Sequence, residues 1–491
     1  MNGNKRVTIG RLSTGVPGLD TVLGGAIPEY SFNLIAGSPG TGKTTLAHQI
    51  AFSSSTAERR TLFFTVLGEP PLKMLRYQQQ FSFFDGDKIP DLVRFVNLDE
   101  ETLSSGLEAV LASIEREVAS LSPGIIFIDS IRTLIPAAEV LDPIALRFVQ
   151  RLAVILTSAQ ATTFLVGEYT EQEVSTNPLF VVADGILWLS QVVERNSVIR
   201  KLQVIKVRGQ SPMAGLQSLR ISNRGLEVFP RMPVPLPAEM NRRPQERITS
   251  GVPELDRMLH GGFLAGDSIL VAGPAGTGKT LLSTQFIAAG VEKGNTGVIA
   301  VFEEQPGRYL DRARSTGVDL AKMVHDGRVK ILFLRPVDLS VDETLHAILA
   351  LAAEAGAERV IIDSLSGFEL AVAPSFCEDF RESLYRTIAT LTATGITVMM
   401  TVEVMQSFTD LRFSPYDISF LADNLIIQRY VEMEGQIRRV LAILKMRGSA
   451  HDTHLRLYAI NDRGIQIGPP LEQYRGILTG MPTRVAKRPK R

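Results

Sequence analysis

Short, unbroken apolar runs separated by amphipathic stretches set the pattern of this chain. In the first half the runs are FNLIAG, TLFFTV, GIIFID and TTFLVG; in the second they are SILVAG, GVIAVF, RVIIDS and TVMMTV. Runs of this length with few polar positions predict strands covered on both faces, as in a parallel sheet. Helical patterns alternate with them. After the fourth run of each half comes a β-rich stretch: GILWLSQVV, IRKLQVIKVRG and SLRISNRGLEVF, then NLIIQRYVE, RRVLAILKMRG and LRLYAINDRGI. Each half is thus predicted to be an α/β core, a mainly parallel sheet flanked by helices, with an antiparallel β-rich C-terminal extension.

The two halves are copies of one module. The segment STGVPGLD, Ser13 to Asp20, is echoed by TSGVPELD, Thr249 to Asp256. Between the copies FPRMPVPLPAEMNRRPQER holds five prolines and a basic cluster, the composition of an extended linker. The expected division is an N-terminal domain over 1–240 with its linker at about 230–247, a C-terminal domain over 241–483, and a basic tail over 484–491.

The most specific chemistry lies after the first strand of each copy. Gly37, Ser38, Pro39, Gly40, Thr41, Gly42, Lys43 and Thr44 spell GSPGTGKT; Gly273, Pro274, Ala275, Gly276, Thr277, Gly278, Lys279 and Thr280 spell GPAGTGKT. Both satisfy the phosphate-loop pattern in its strand–loop–helix setting. Glycines let successive backbone N–H groups wrap phosphates, the lysine reaches the outer phosphates, and the threonine hydroxyl binds magnesium. Two copies in step identify a double nucleotide-binding protein.

Three further parts are expected around such a loop. Asp129 and Asp363 each end a buried strand about 85 residues after the loop, where a carboxylate supports the metal opposite the threonine. A group that orients or deprotonates water is sought after the next strand. There copy two has Glu303 and Glu304 in VFEEQP, whereas copy one has VLGEPP, in which Gly68 replaces the first glutamate and Glu69 keeps the second. Copy one is therefore expected to bind nucleotide and to be impaired in hydrolysis. Positive charge comes from KVRG and KMRG, with Lys206 and Arg208 in one copy and Lys445 and Arg447 in the other. Their alternate spacing puts each pair on one face of a strand, as a finger reaching a nucleotide across a subunit interface.

Taken together, TGVPGLD, the two GTGKT loops, FEEQP, IIDS, KMRGSAHD and the closing GMPTR resemble the KaiC family of ATPases, over Thr14 to about Arg484. The resemblance implies tandem RecA-like P-loop domains, ATP and Mg2+ as cofactors, and a homohexamer with nucleotides between protomers. It implies a slow ATPase in a circadian-clock or related signalling role, with autophosphorylation in the second domain. By the match, the two lysine–arginine pairs contact the nucleotide of the adjacent subunit. Ser419 in SPYDISFLADNLI falls on the family's phosphorylated serine, while Phe420 occupies the neighbouring threonine position. A two-site phosphorylation cycle is therefore not expected; single-site phosphorylation of Ser419 and a serine simply packed at an interface both stay open. The basic tail lies where the family receives a regulatory partner.

Composition narrows the alternatives. With 52 basic and 52 acidic residues the net charge is zero, and the single cysteine, Cys377, supports neither a disulfide framework nor a Cys-based zinc module. That weighs against a RecA-type DNA-repair motor, one alternative; a nucleotide-gated scaffold with little catalysis is the other. No apolar stretch approaches the roughly 18 residues of a membrane span, so a cytoplasmic location is expected.

Overall fold

The computed structural model describes residues 9–66, 71–134, 143–194, 197–231, 246–334, 340–371, 377–404, 421–477 and 483–484. The chain divides into two compact units, Met1–Arg231 and Met232–Arg491. Each holds a nine-stranded sheet of the same design.

In the first unit the strands run, edge to edge, Gly225–Phe229, Leu216–Ser222, Ser197–Val207, Gly185–Glu194, Phe32–Gly37, Thr162–Glu168, Ile125–Asp129, Thr61–Val66 and Val93–Leu98. The last six of these are parallel, and the first three add antiparallel hairpins. The second unit repeats the order with Gly464–Pro470, Arg456–Asn461, Gln436–Met446, Asn424–Met433, Ser268–Gly273, Thr397–Glu403, Arg359–Asp363, Gly297–Val301 and Val329–Phe333. This is the arrangement of tandem RecA-like domains.

Burial explains why the central strands lack polar alternation. Phe63, Phe127 and Phe164 point to one face with Leu46 and Ile50 of the helix Lys43–Ser54. Their neighbours Leu62, Phe64, Ile126, Ile128 and Leu165 point to the other, against Ile114, Val149 and Leu152 of two further helices. Both faces are dry, so most positions are apolar, and the polar residues that remain, such as Asn33 and Thr163, are buried. Phe63, Phe127 and Phe164 stack across three adjacent strands at centroid separations of 5.2 and 4.8 Å.

The outermost strand of each parallel set, Val93–Leu98 and Val329–Phe333, lies at the sheet edge and is not among the apolar runs. An edge strand is half covered, so VRFVNL and VKILF carry polar residues that break the run. No helix among the described residues is long and apolar enough to cross a membrane.

Candidate functional site

Parallel strands bring their C-terminal ends to one edge of the sheet, and the candidate residues of each unit collect there. In the first unit Gly37 is registered with Glu168, and Thr65 with Asp129. The chain leaves Gly37, turns through the loop, and enters the helix Lys43–Ser54 at Gly42, whose φ of 100° is a left-handed conformation that a side chain would strain. Gly278 does the same in the second unit at φ 96°. The first-turn N–H groups of both helices therefore face the loop without a side-chain cap, ready for an anion.

The loop lysines are held alike. Lys43 Nζ donates to Ser38 O at 2.7 Å and Lys279 Nζ to Pro274 O at 2.8 Å; Thr41 and Thr277 brace the same carbonyls at 2.9 and 2.8 Å. Burial holds both lysines below the usual ammonium range. The carboxylates of Glu168 and Asp129 oppose this at Lys43, and those of Glu403, Asp363 and Glu303 at Lys279. A phosphate arriving here meets a cation that little water screens.

The metal-supporting pair is assembled in the first unit: Thr44 Oγ1 donates to Asp129 Oδ2 at 2.8 Å. In the second, Asp363 accepts from Thr401 Oγ1 at 2.6 Å and from Tyr309 OH at 3.3 Å. One hydroxyl and one carboxylate make a hard-oxygen donor set that suits Mg2+, which takes its remaining ligands from water and phosphate. No cluster of three His, Cys, Asp or Glu side chains that would form an all-protein metal cage occurs among the described residues.

The glutamate pair of the second unit splits into two settings. Glu303 Oε1 accepts from Ser364 Oγ at 3.1 Å, beside the strand end of Asp363. Glu304 Oε2 instead forms an ion pair with Arg312 at 2.6 Å. The counterparts in the first unit, Gly68 and Glu69, lie outside the described residues, and so do Ser419 and Phe420. Of the basic tail only Arg484 is described.

Lys206, Arg208, Lys445 and Arg447 do not meet the P-loop of their own unit. Lys206 is registered with Ile186 and through it with Leu34, three residues before Gly37; Lys445 is registered with Leu425 and Leu270, three before Gly273. At about 3.3 Å per residue, each lysine sits roughly 10 Å back along the sheet from the loop, and each arginine lies beyond it. Lys206 Nζ donates to Phe180 O at 3.3 Å, and Lys445 Nζ to Ala422 O at 2.6 Å. Arg208 pairs with Asp184 at 3.1 Å, and Arg447 faces Asp423 at 3.6 Å.

Three site residues escaped the sequence reading. Glu168 and Glu403 end the strands beside the P-loop strand, registered with Gly37 and Gly273. Glu168 lies 3.8 Å from Lys43. Their repetition at a spacing of 235, in FLVGE and MMTVE, was the available signal. The third, Arg132, has no echo in the second copy and could not be found that way.

A cavity of about 570 Å³ opens over the first loop, lined by Lys43, Thr44, Asp129, Arg132 and Glu168 among others. One of about 240 Å³ opens over the second, lined by Lys279, Thr280, Arg312 and Ile460 among others. A family model for the KaiC ATPases matches residues 12–232 and again 248–472, one copy for each unit. The chain belongs to the KaiC family of ATPases. Among its relatives, the circadian clock protein KaiC3 of Synechocystis sp. is 30% identical, with 98% of this chain and 96% of that one covered. The circadian clock oscillator protein KaiC of Picosynechococcus sp. is 28% identical over 97% of this chain and 93% of its own. That of Rippkaea orientalis is 29% identical over 97% and 92%. KaiC-family membership fits the doubled sheet, the doubled loop and the doubled strand-end aspartate.

Proposed function

We propose that this protein is an ATP-hydrolysing ring protein in which the second domain turns over Mg-ATP and phosphorylates Ser419, while the first domain holds ATP and the assembly together, in a circadian-clock or related signalling role. The supporting observation is the second-unit cluster: Lys279, Asp363 and Glu303 converge on one strand edge, with Glu303 accepting from Ser364 while Glu304 is paired with Arg312. Domain bounds of 1–240 and 241–483, a homohexamer, a regulatory protein at the tail over 484–491 and a cytoplasmic location belong to the same proposal.

In this scheme the loop N–H groups and Lys279 bind the β- and γ-phosphates. Magnesium, when bound, neutralises charge on the phosphate oxygens, and Thr280 and Asp363 are the residues that would hold it. Glu303 takes the proton of the attacking water as the water oxygen bonds to the γ-phosphorus and the bond to the bridging oxygen of ADP breaks. With the Ser419 hydroxyl as attacking group, the same base and the same leaving group give phosphoserine. Lys445 and Arg447 of a neighbouring copy stabilise the negative charge that develops on the phosphate oxygens. Lys206 and Arg208 do so at the first site, where Glu69 is the remaining carboxylate.

Phosphopeptide mapping after incubation with Mg-ATP, with Lys279→Ala alongside, tests the kinase step. Phosphate on Ser419 that disappears in the variant supports it. A preparation that binds ATP and carries no phosphate anywhere overturns it, leaving hydrolysis to be judged by turnover.

A further inference from the structure

The two P-loop sites differ in charge at one aligned position. Arg132 begins three residues after Asp129, in the short helix Ile131–Leu134, and lines the same cavity as Lys43, Thr44 and Glu168. In the repeat register, where Asp129 matches Asp363 and Ser130 matches Ser364, its counterpart is Ser366. That serine accepts a hydrogen bond from the Glu403 backbone N–H at 3.0 Å. The first site therefore carries a guanidinium where the second has a neutral hydroxyl.

The guanidinium is braced. Nη1 donates to Glu173 Oε1 at 2.5 Å, and the group lies 5.2 Å from the centroid of the buried Tyr169 ring. Glu173 is itself fixed, because its carboxylate accepts from the Thr170 N–H at 2.9 Å in a capping box. Glu173 and Tyr169 belong to the segment that leaves the strand at Glu168, so the brace is built from the same edge of the sheet as the loop. Engaging one nitrogen leaves the other donors of the fork for an anion. Arg132 lines one cavity with Lys43, Thr44 and Asp129, the residue types that receive the terminal phosphate and its metal in a P-loop site.

We propose that Arg132 is a specificity-determining residue of the first site, a built-in contact to the terminal phosphate that makes this site retain ATP over ADP, a preference the second site does not receive from Ser366. This rests on the nucleotide-holding role proposed for the first domain. Glu173 and Tyr169 keep the guanidinium in place, so the contact needs no large rearrangement when the triphosphate enters.

The test uses the full chain with Lys279→Ala to silence the second loop, and titrates Mg-ATP and Mg-ADP separately by calorimetry. Adding Arg132→Ser should weaken ATP binding by about ten- to hundredfold, the range of a charged hydrogen bond, with ADP changed less than about threefold. Arg132→Lys should recover part of the ATP preference, and Glu173→Gln should leave most of it, since the cation stays. Equal losses for both nucleotides, or a lower melting temperature with no change in the ATP-to-ADP ratio, would make Arg132 only a brace between the helix and the Glu173 segment, and the proposal would fall. Absence of any nucleotide binding in Lys279→Ala alone would remove the first-domain role as well, a separate failure visible before Arg132 is touched.

Discussion

Replacing Glu303 by glutamine tests the division of labour within the glutamate pair. Glutamine keeps an acceptor for the Ser364 hydroxyl, now 3.1 Å from Glu303 Oε1, and has nearly the same volume. What it loses is the capacity to take a proton. A general base contributes about 10²- to 10⁴-fold, or about 3 to 5 kcal/mol at roughly 1.4 kcal/mol per tenfold. Glu304→Gln breaks the ion pair with Arg312 at 2.6 Å, in which the arginine side chain is 49% exposed and the glutamate 25%. Such a pair is worth about 0.2–1 kcal/mol, so its loss changes turnover by about fivefold or less. Steady-state phosphate release by the full-length protein, with ATP affinity measured in parallel, separates the two. The expected result is a large fall in turnover for Glu303→Gln at nearly constant ATP affinity, and a small one for Glu304→Gln. Equal falls, or a larger one for Glu304→Gln, would refute the assignment of the base.

Lys279→Ala should abolish most turnover, whereas Lys43→Ala should mainly weaken ATP-dependent assembly as followed by light scattering; equal turnover losses from the two would contradict the proposed roles. His48, fully buried between Phe63 and Phe95, is pushed down to about 3 by burial, so it stays neutral in the folded first unit while the unfolded chain protonates near its ordinary value. The unfolded state then binds more protons below pH ~6.5, and stability falls as pH drops from there toward 3, by about 2 kcal/mol at pH ~5. His48→Leu should flatten that acid slope in thermal melts of the apo protein, and an unchanged slope would show that His48 does not titrate on unfolding.

What could be read from the chain depended on whether a signal was local and doubled. The P-loops, the strand-end aspartates and the central strands are contiguous motifs written twice, and burial on both faces made FNLIAG and SILVAG unmistakable. The edge strands Val93–Leu98 and Val329–Phe333 were missed because partial exposure lets arginine, lysine and asparagine interrupt them. Glu168 and Glu403 looked like ordinary solvated strand ends; only the sheet register sets them beside the loop lysines. Arg132 was invisible for the opposite reason. It is a departure between copies, and its meaning comes from Glu173 and Tyr169, some forty residues away in sequence and adjacent in space.

The position of the lysine–arginine pairs carries a consequence for assembly. Lys445 and Arg447 sit back along the sheet from Lys279, and Lys206 and Arg208 sit equally far from Lys43. If these cations reach a nucleotide, it is held by another copy, and the contact joins the loop edge of one unit to a different surface of the next. Such a contact is heterologous and repeats head to tail, closing into a ring when its rotation allows. An intact second-domain site then needs Lys279 from one subunit and Arg447 from its neighbour. Lys279→Ala and Arg447→Ala should each be nearly inactive alone. Mixed in equal amounts and reassembled with ATP, they should regain about one quarter of wild-type turnover per site, since half the loops are intact and half of those adjoin an intact arginine. If Arg447 acted within its own chain, no mixed interface would be complete and the mixture would stay at the level of the separate variants.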